Sequence, residues 1–346
     1  CAVVKADGYG HGSVPVARAA LGAGASWLAV AMVGEAAVLR DAGIDAPILV
    51  LSEPSHDELD DVVALGLRPT LYRPEVITGF AKAVARAGGP PLPVHLKVDT
   101  GMHRVGADPA DALALALAVA GQPELVLEAV WTHCAVADEP GHPFTRTQAQ
   151  RFDAVLASLR GAGISVPMVH AANSAATLDH PGLRHDLVRC GITVYGLDPS
   201  PALHGRLQLR PALALKARVS LVKIVPAGDA LSYGLRHRLE ADSVVATVPL
   251  GYADGVARRL SEVGGEVLVS GHRRPMVGTV TMDQLLVDCG PAGSPGSVVA
   301  RPGDEVVLIG EQHGRRIGAE EWAERLGTIS YEVVCGISPR VPRRYV

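Results

Sequence analysis

Cys1-Ala-Val-Val-Lys-Ala-Asp-Gly-Tyr-Gly-His-Gly12 opens the chain with a short apolar run that breaks at a lysine. Val3 and Val4 lead into Lys5, and the glycines at 8, 10 and 12 end the run, as where a buried strand meets a tight loop. Lys5 is thereby placed at the C-terminal end of a strand. An amine held against apolar surroundings loses solvation of its charged form, so it becomes available for Schiff-base chemistry with a carbonyl. Tyr9 follows in a loop whose bare backbone can approach an anion. For a lysine taken alone, a surface position at a strand edge is the commoner outcome. The catalytic reading of Lys5 therefore depends on partners elsewhere in the chain.

Outward from Lys5 the pattern alternates. Helical stretches near 13–23, 35–42, 57–65, 74–86, 111–120 and 152–159 separate strand-like runs at 27–31, 47–51, 68–71, 94–98, 127–132, 166–170 and 187–188. With the opening run these make eight strands in series. The reading is α/β: a (β/α)8 TIM-type barrel over residues 1–208, with a doubly wound open sheet as the runner-up. In a barrel the strand ends collect the chemistry, and polar groups recur there. Lys97, Asp99 and Arg104 follow one strand, Thr132-His133-Cys134 the next, His170-Ala-Ala-Asn-Ser174 the seventh, and Arg189 the eighth. Residues 198–211 read as a linker. Beyond them, short strands at 213–225, 243–249, 266–269, 276–280, 285–289 and 305–309, with one helix near 319–326, predict a mostly antiparallel β domain over 209–346.

Composition narrows the class. At 346 residues, 48% hydrophobic and 20% charged, the chain can bury two sizeable cores and reads as soluble and globular. A net charge of -4 with interspersed signs leaves no basic stripe for nucleic acid. No apolar run reaches transmembrane length, and no signal peptide is visible. The 5 widely spaced cysteines show neither a zinc spacing nor a disulfide framework, which points to reduced thiols, a cytoplasmic location and no metal. Because the chain opens on Cys1 inside a strand, an N-terminal segment is expected to be missing from this numbering.

The order and spacing of Lys5, Tyr9, Arg104, His133, Asn173-Ser174 and Arg189, followed by an all-β half, resemble one family: the pyridoxal-phosphate-dependent alanine racemases. Residues 2–12 look like its cofactor-lysine signature. Leu231-Ser-Tyr-Gly234, Pro249-Leu-Gly-Tyr-Ala-Asp-Gly255 and Thr281-Met-Asp-Gln284 look like its C-terminal motifs. The resemblance covers essentially the whole chain.

It implies a two-base racemase interconverting L- and D-alanine, as in the supply of peptidoglycan precursors. Lys5 would hold pyridoxal 5'-phosphate and act on the D-face, and Tyr233 of a partner subunit would act on the L-face of a homodimer with shared sites. Because a phenol ordinarily titrates near 10, Tyr233 needs cationic or hydrogen-bonding neighbours, and His133 and Arg189 match the positions that provide them. Arg189 would face the pyridine nitrogen and, having no proton-accepting site, leave it unprotonated. The related barrel decarboxylases place a carboxylate there. Tyr9, Ser174, Tyr331 and the backbone of Gly191 and Ile192 would hold the phosphate, with Asn173 beside them. Arg104 would approach the cofactor's phenolic oxygen and the substrate carboxylate, which the Met282 amide would also bind. Tyr252, Arg258, Thr279 and Ile329 would line the entrance.

Lys97 matches a lysine carbamylated in many members, a change that would orient Arg104; Asp99 as the compensating charge is the alternative. Thr279 departs from a common corridor arginine, and Thr281 from a cysteine or serine. A broader racemase, for example for serine, and a noncatalytic cofactor-binding protein remain the other expectations.

Overall fold

In the computed structural model, which describes residues 1–294 and 300–346, the chain forms two compact units, Cys1–Arg210 and Pro211–Val346. The first is built on a parallel sheet in the order of the sequence: β1 (Ala2–Val3), β2 (Leu28–Val30), β3 (Ile48–Val50), β4 (Arg68–Leu71), β5 (Leu92–Lys97), β6 (Leu125–Trp131) and β7 (Met168–His170). Leu28, Val30, Ile48, Val50, Val94, Leu96 and Val130 are buried almost completely, as parallel strands covered on both faces require. Each such side chain contributes about 1.5–3 kcal/mol by leaving water.

The eighth strand of the sequence reading is reduced to a single bridge. Ala2 and Cys190 pair in parallel: the Cys190 N–H donates to Cys1 O and the Val3 N–H to Cys190 O, both at 2.9 Å. On the other side Arg189 N–H reaches Ala172 O at 3.0 Å. Residues 188–190 therefore close the ring, but Gly191 leaves extended geometry at once (φ -101°, ψ -97°), so no ladder develops. The barrel prediction stands with this correction.

Helices cover the outside. Pro74–Ala87 shows the logic: Pro74 occupies the first turn, where its missing N–H costs nothing, and Val76, Ile77, Phe80 and Val84 face the sheet. Gly88, at φ 66°, ends the helix in the left-handed conformation that glycine adopts without a Cβ clash. Pro143–Gly161 buries Phe152, Val155, Leu156 and Leu159, the face its spacing predicts.

The second unit is an antiparallel sheet. Arg315–Ile317, Glu305–Gln312, Glu266–Val269, His272–Val277, Leu285–Pro291, Ser243–Val248 and Leu221–Val225 follow one another across it, and Leu215–Arg218 also pairs with Glu305–Gln312. The single run expected over 213–225 is thus two strands that pair with different neighbours. A two-stranded hairpin, Ala230–Leu231 with His237–Arg238, was not legible in the sequence because each arm is only two residues long. It carries Tyr233 on its turn.

Candidate active site

Lys5 begins a tight turn directly after β1 in which Ala6, Asp7, Gly8 and Tyr9 all have φ between 49° and 60°. A run of left-handed residues is unfavourable for L-amino acids by roughly 1–2 kcal/mol each, glycine excepted. The surroundings hold it in place. Glu35 Oε1 accepts from the Ala6 N–H at 2.6 Å, Asp7 Oδ1 accepts from the Ser13 N–H at 2.8 Å, and the Gly8 N–H returns to Val4 O at 2.9 Å. The turn leaves Lys5 half-buried at the strand end and folds Tyr9 back into the core. There its ring stacks on Tyr195, 4.8 Å between centroids, and the Tyr195 hydroxyl donates to Val3 O at 2.8 Å.

Tyr9 meets the strand-closing segment. A Cβ on Gly191 would lie 2.4 Å from the Tyr9 hydroxyl oxygen, so only glycine fits at that position. The Gly191 N–H donates to Ser174 Oγ at 2.9 Å, and the Thr193 hydroxyl donates to the same oxygen at 3.2 Å. With both lone pairs of Ser174 occupied, its own proton points onward. Tyr9, Ser174 and the Gly191–Ile192 backbone are thus brought together as a cradle of hydroxyls and amides without a carboxylate, the donor set a phosphate monoester takes. Asn173 has a different duty: its Oδ1 accepts from the Ala176 N–H at 2.9 Å and starts the helix Ser174–Asp179.

Arg189 is 3% exposed and fully enclosed by barrel groups. Nη1 bonds His170 Nδ1 at 2.8 Å; Nη2 bonds Thr132 O and Ala171 O at 2.9 Å and His133 Nδ1 at 3.2 Å. The guanidinium lies over Trp131, 4.6 Å from the ring centroid. Burial lowers its pKa to about 10, so it stays a cation at neutral pH. Asp186, a conceivable ion-pair partner, instead accepts from the Val169 N–H at 2.8 Å. His133 is held well below its ordinary pKa by burial and by the charges of Arg189, Lys97, Arg104 and Lys5. It therefore offers a neutral Nε2–H rather than a positive charge.

Lys97, at the end of β5, is buried with Nζ 4.2 Å from the Trp131 centroid. Burial, then Arg189 and Arg104, lowers its pKa to about 7. Arg104 is exposed on the following loop. Asp99 is committed to that loop: Oδ1 accepts from the Gly101 and His103 N–H groups at 2.9 and 3.1 Å, and Oδ2 lies 3.3 Å from His103 Nδ1.

In the second unit, Tyr233 is 72% exposed on its hairpin turn, flanked by Ser232 (φ 59°) and Gly234 (φ 77°). Thr279 is buried beneath the turn, its hydroxyl donating to Tyr233 O at 2.8 Å, while Thr279 O accepts from the Ser232 hydroxyl at 2.6 Å. An arginine at 279 would have to displace this support. The Tyr252 N–H donates to Thr281 O at 3.0 Å, and a Cβ on Gly251 would meet Met282 O at 2.3 Å, so Gly251 lets the loops bearing Tyr252 and Met282 touch. Met282, Ile329 and Arg258 are exposed, and Tyr331 is half-buried in the helix Ser330–Cys335.

Sequence reasoning missed Glu35, which pins the Lys5 turn, and Trp131, the plate beneath Arg189 and Lys97. Glu35 sits at the third position of the helix Val33–Asp41, and a carboxylate at a helix start was the available signal. Among the described residues no group of three or more metal-ligating side chains forms a site, and no helix is long and apolar enough to cross a membrane.

Comparison with known proteins agrees with this geometry. The sequence profile of the alanine racemase N-terminal domain matches residues 1–199, and that of the C-terminal domain matches 212–345. The alanine racemase of Symbiobacterium thermophilum is 49% identical over 347 residues, covering 99% of this chain and 89% of that protein. That of Desulforamulus reducens is 46% identical over 347 residues, covering 100% and 91%. Among solved structures, alanine racemase from E. faecalis superposes with a TM-score of 0.93 at 38% identity, covering 100% of this chain and 90% of that one. The Bacillus anthracis alanine racemase with bound L-Ala-P superposes with a TM-score of 0.91 at 41% identity, covering 100% and 87%. With both domain profiles matched in order along one chain, and full-length relatives at this identity, the protein belongs to the alanine racemase family.

Proposed function

We propose that the protein interconverts L- and D-alanine with two bases, Lys5 on the D-face and Tyr233 of the partner subunit on the L-face. The observation that carries this reading is what the strand ends bring together: Lys5 directly after β1, the hydroxyls of Tyr9 and Ser174 meeting at Gly191, and a buried arginine, Arg189, at the strand that closes the ring. The family uses pyridoxal 5'-phosphate. Bound there, the cofactor withdraws electrons from the substrate α-carbon and acidifies its proton.

The residues of the chain do the rest. Tyr9, Ser174 and the Ile192 amide anchor the phosphate, and the Gly191 amide holds the Ser174 hydroxyl in place for it. Arg189 gives Nη2 to carbonyls and His133, and one Nη1 hydrogen to His170, so Nε–H and the second Nη1 hydrogen are the ones left for a ring nitrogen. Since Arg189 can only donate, a ring nitrogen held there would stay unprotonated and its electron withdrawal would be limited. A proton removed from one face is then returned to carbon promptly, which favours racemisation over transamination or decarboxylation. Arg104 and the Met282 amide bind the substrate carboxylate, and the neutral His133 offers its Nε2–H to the phenol of the partner's Tyr233. Tyr252, Arg258 and Ile329 shape the approach, whereas Thr279, buried under the Tyr233 turn, supports that turn and does not line the entrance as the sequence suggested. The exposure of Tyr233 and Met282 in a single chain supports their being covered by a second copy. With Asp99 engaged by its own loop, a carbamate on Lys97 is the better compensating charge for Arg104.

The function is tested by chiral analysis of each amino acid after incubation with cofactor-loaded protein. L-alanine is expected to reach an equal mixture of enantiomers faster than serine does; failure to racemise alanine overturns the reading.

Lys97 makes a second expectation. A carbamate forms from the neutral amine, and the lowered pKa supplies that form at physiological pH. Labelled bicarbonate should give a carbamate ¹³C resonance that is stronger on the alkaline side of about 7 than on the acid side, and absent in Lys97→Met. Between about 7 and the ordinary lysine value the unfolded chain binds a proton that the folded protein does not, so stability rises with pH across that window. Lys97→Met should flatten the rise in a urea titration.

A further inference from the structure

Beneath Arg189 a line of polar groups runs through the apolar barrel, and the chemistry of each member determines the next. Arg189 can only donate, so His170 Nδ1, 2.8 Å from Nη1, is bare and accepts. A neutral His170 then carries its proton on Nε2, which lies 3.0 Å from His95 Nδ1. That nitrogen must accept in turn, placing the His95 proton on Nε2, where Glu128 Oε2 receives it at 2.9 Å. Neutral rings are what the site favours. Burial lowers the pKa of both histidines, and neither ring is exposed. Trp27 packs 5.5 Å from His95 and Trp131 stacks 5.3 Å from His170, shielding the line from water.

Glu128 is not where a regular strand would aim it. Val94 pairs with Leu127 and His95 with Ala129, so Glu128 is the extra residue of a β-bulge. Bulges commonly re-aim a side chain next to a functional site. Here the bulge coincides with the carboxylate reaching His95. Burial alone would raise the Glu128 pKa, but its bond with His95 and the nearby Arg68, 3.5 Å away at the start of β4, hold it below the ordinary value.

We propose that Glu128, His95 and His170 form a one-way hydrogen-bond relay from the lower rim of the barrel, in which Glu128 and His95 are positioning residues for Arg189. Arg189, which can only donate, and the Glu128 carboxylate, which accepts, fix both tautomers from opposite ends, and the bare His170 Nδ1 holds the guanidinium in one orientation. The effect on turnover rests on the proposed racemase reading, whereas the tautomers do not depend on it.

The test is ¹⁵N–¹H NMR of the histidine rings in the full-length protein, with and without cofactor, assigned with a His95→Gln protein. In wild type both rings should be neutral and protonated on Nε2; a proton on Nδ1 of either, or a cationic ring, overturns the relay without any variant. Glu128→Gln retains a carbonyl acceptor and should keep both tautomers and near-normal kcat. Glu128→Leu leaves the buried His95 Nε2–H without an acceptor, a cost that competes with the order Arg189 imposes, so it should give mixed tautomers at His95 and a kcat lower by about tenfold with little change in KM. Unchanged tautomers or unchanged kcat in a folded Glu128→Leu protein overturns the proposal. Absence of racemisation in wild type would refute the activity, yet the ring spectra would still decide the relay.

Discussion

Lys5→Ala is expected to lower racemisation from either enantiomer by about 10³-fold or more, the scale of removing a positioned acid–base group. The loss should be equal in both directions, because a racemisation that removes a proton on one face needs the second group on the other. The variant should also lose the yellow colour and the borohydride-fixed adduct that wild-type protein gives with the cofactor. Folding should survive. Lys5 is half-buried and its backbone, not its side chain, starts the left-handed turn that Glu35 and Asp7 hold. Melting temperature and residual phosphate affinity therefore separate a chemical loss from a structural one, since Tyr9, Ser174 and Gly191 remain in place. An adduct that maps to another lysine would displace Lys5 from the mechanism.

Tyr233→Phe should have the other large effect, and an asymmetric one. Under single-turnover conditions, solvent deuterium exchange at the α-carbon of L-alanine should fall by about 10²–10⁴-fold while exchange from D-alanine persists. The turn itself should be unperturbed, because the support beneath it is backbone and Thr279, not the phenol. Mixing this variant with Lys5→Ala subunits then tests whether sites are shared. In a two-fold dimer one site of each heterodimer would collect both defects and the other neither, so random exchange should restore about a quarter of wild-type activity. Confirmed heterodimers that remain inactive would assign Tyr233 a structural role.

The difference between what local sequence reveals and what it conceals is visible in particular residues. Arg68–Leu71, Glu266–Val269 and the helix Ala319–Leu326 lie where periodicity and turn residues place them, because a period of two or of 3.6 is a property of neighbouring side chains. The same holds for the type of chemistry at the strand ends: Lys5, Lys97, His133 and Arg189 follow their apolar runs in plain sight. The short hairpin under Tyr233 and the one-pair closure at Cys190 had no such signature, since two residues make no period.

The sequence by itself determined the order of elements, the family and the residue types that follow the strands, all of which are carried by local pattern and motif. Tertiary structure decided their states. The charge on Lys97 and the neutrality of His133 follow from how much water the closed barrel excludes and which cations it gathers, quantities that sum over residues far apart in the chain. The commitment of Asp99 to its own loop, the burial of Thr279 and the turning of Glu128 toward His95 depend on loop hydrogen bonds, sheet packing and one shift of strand register. Register is a relation between two strands, and neither strand's sequence contains it alone.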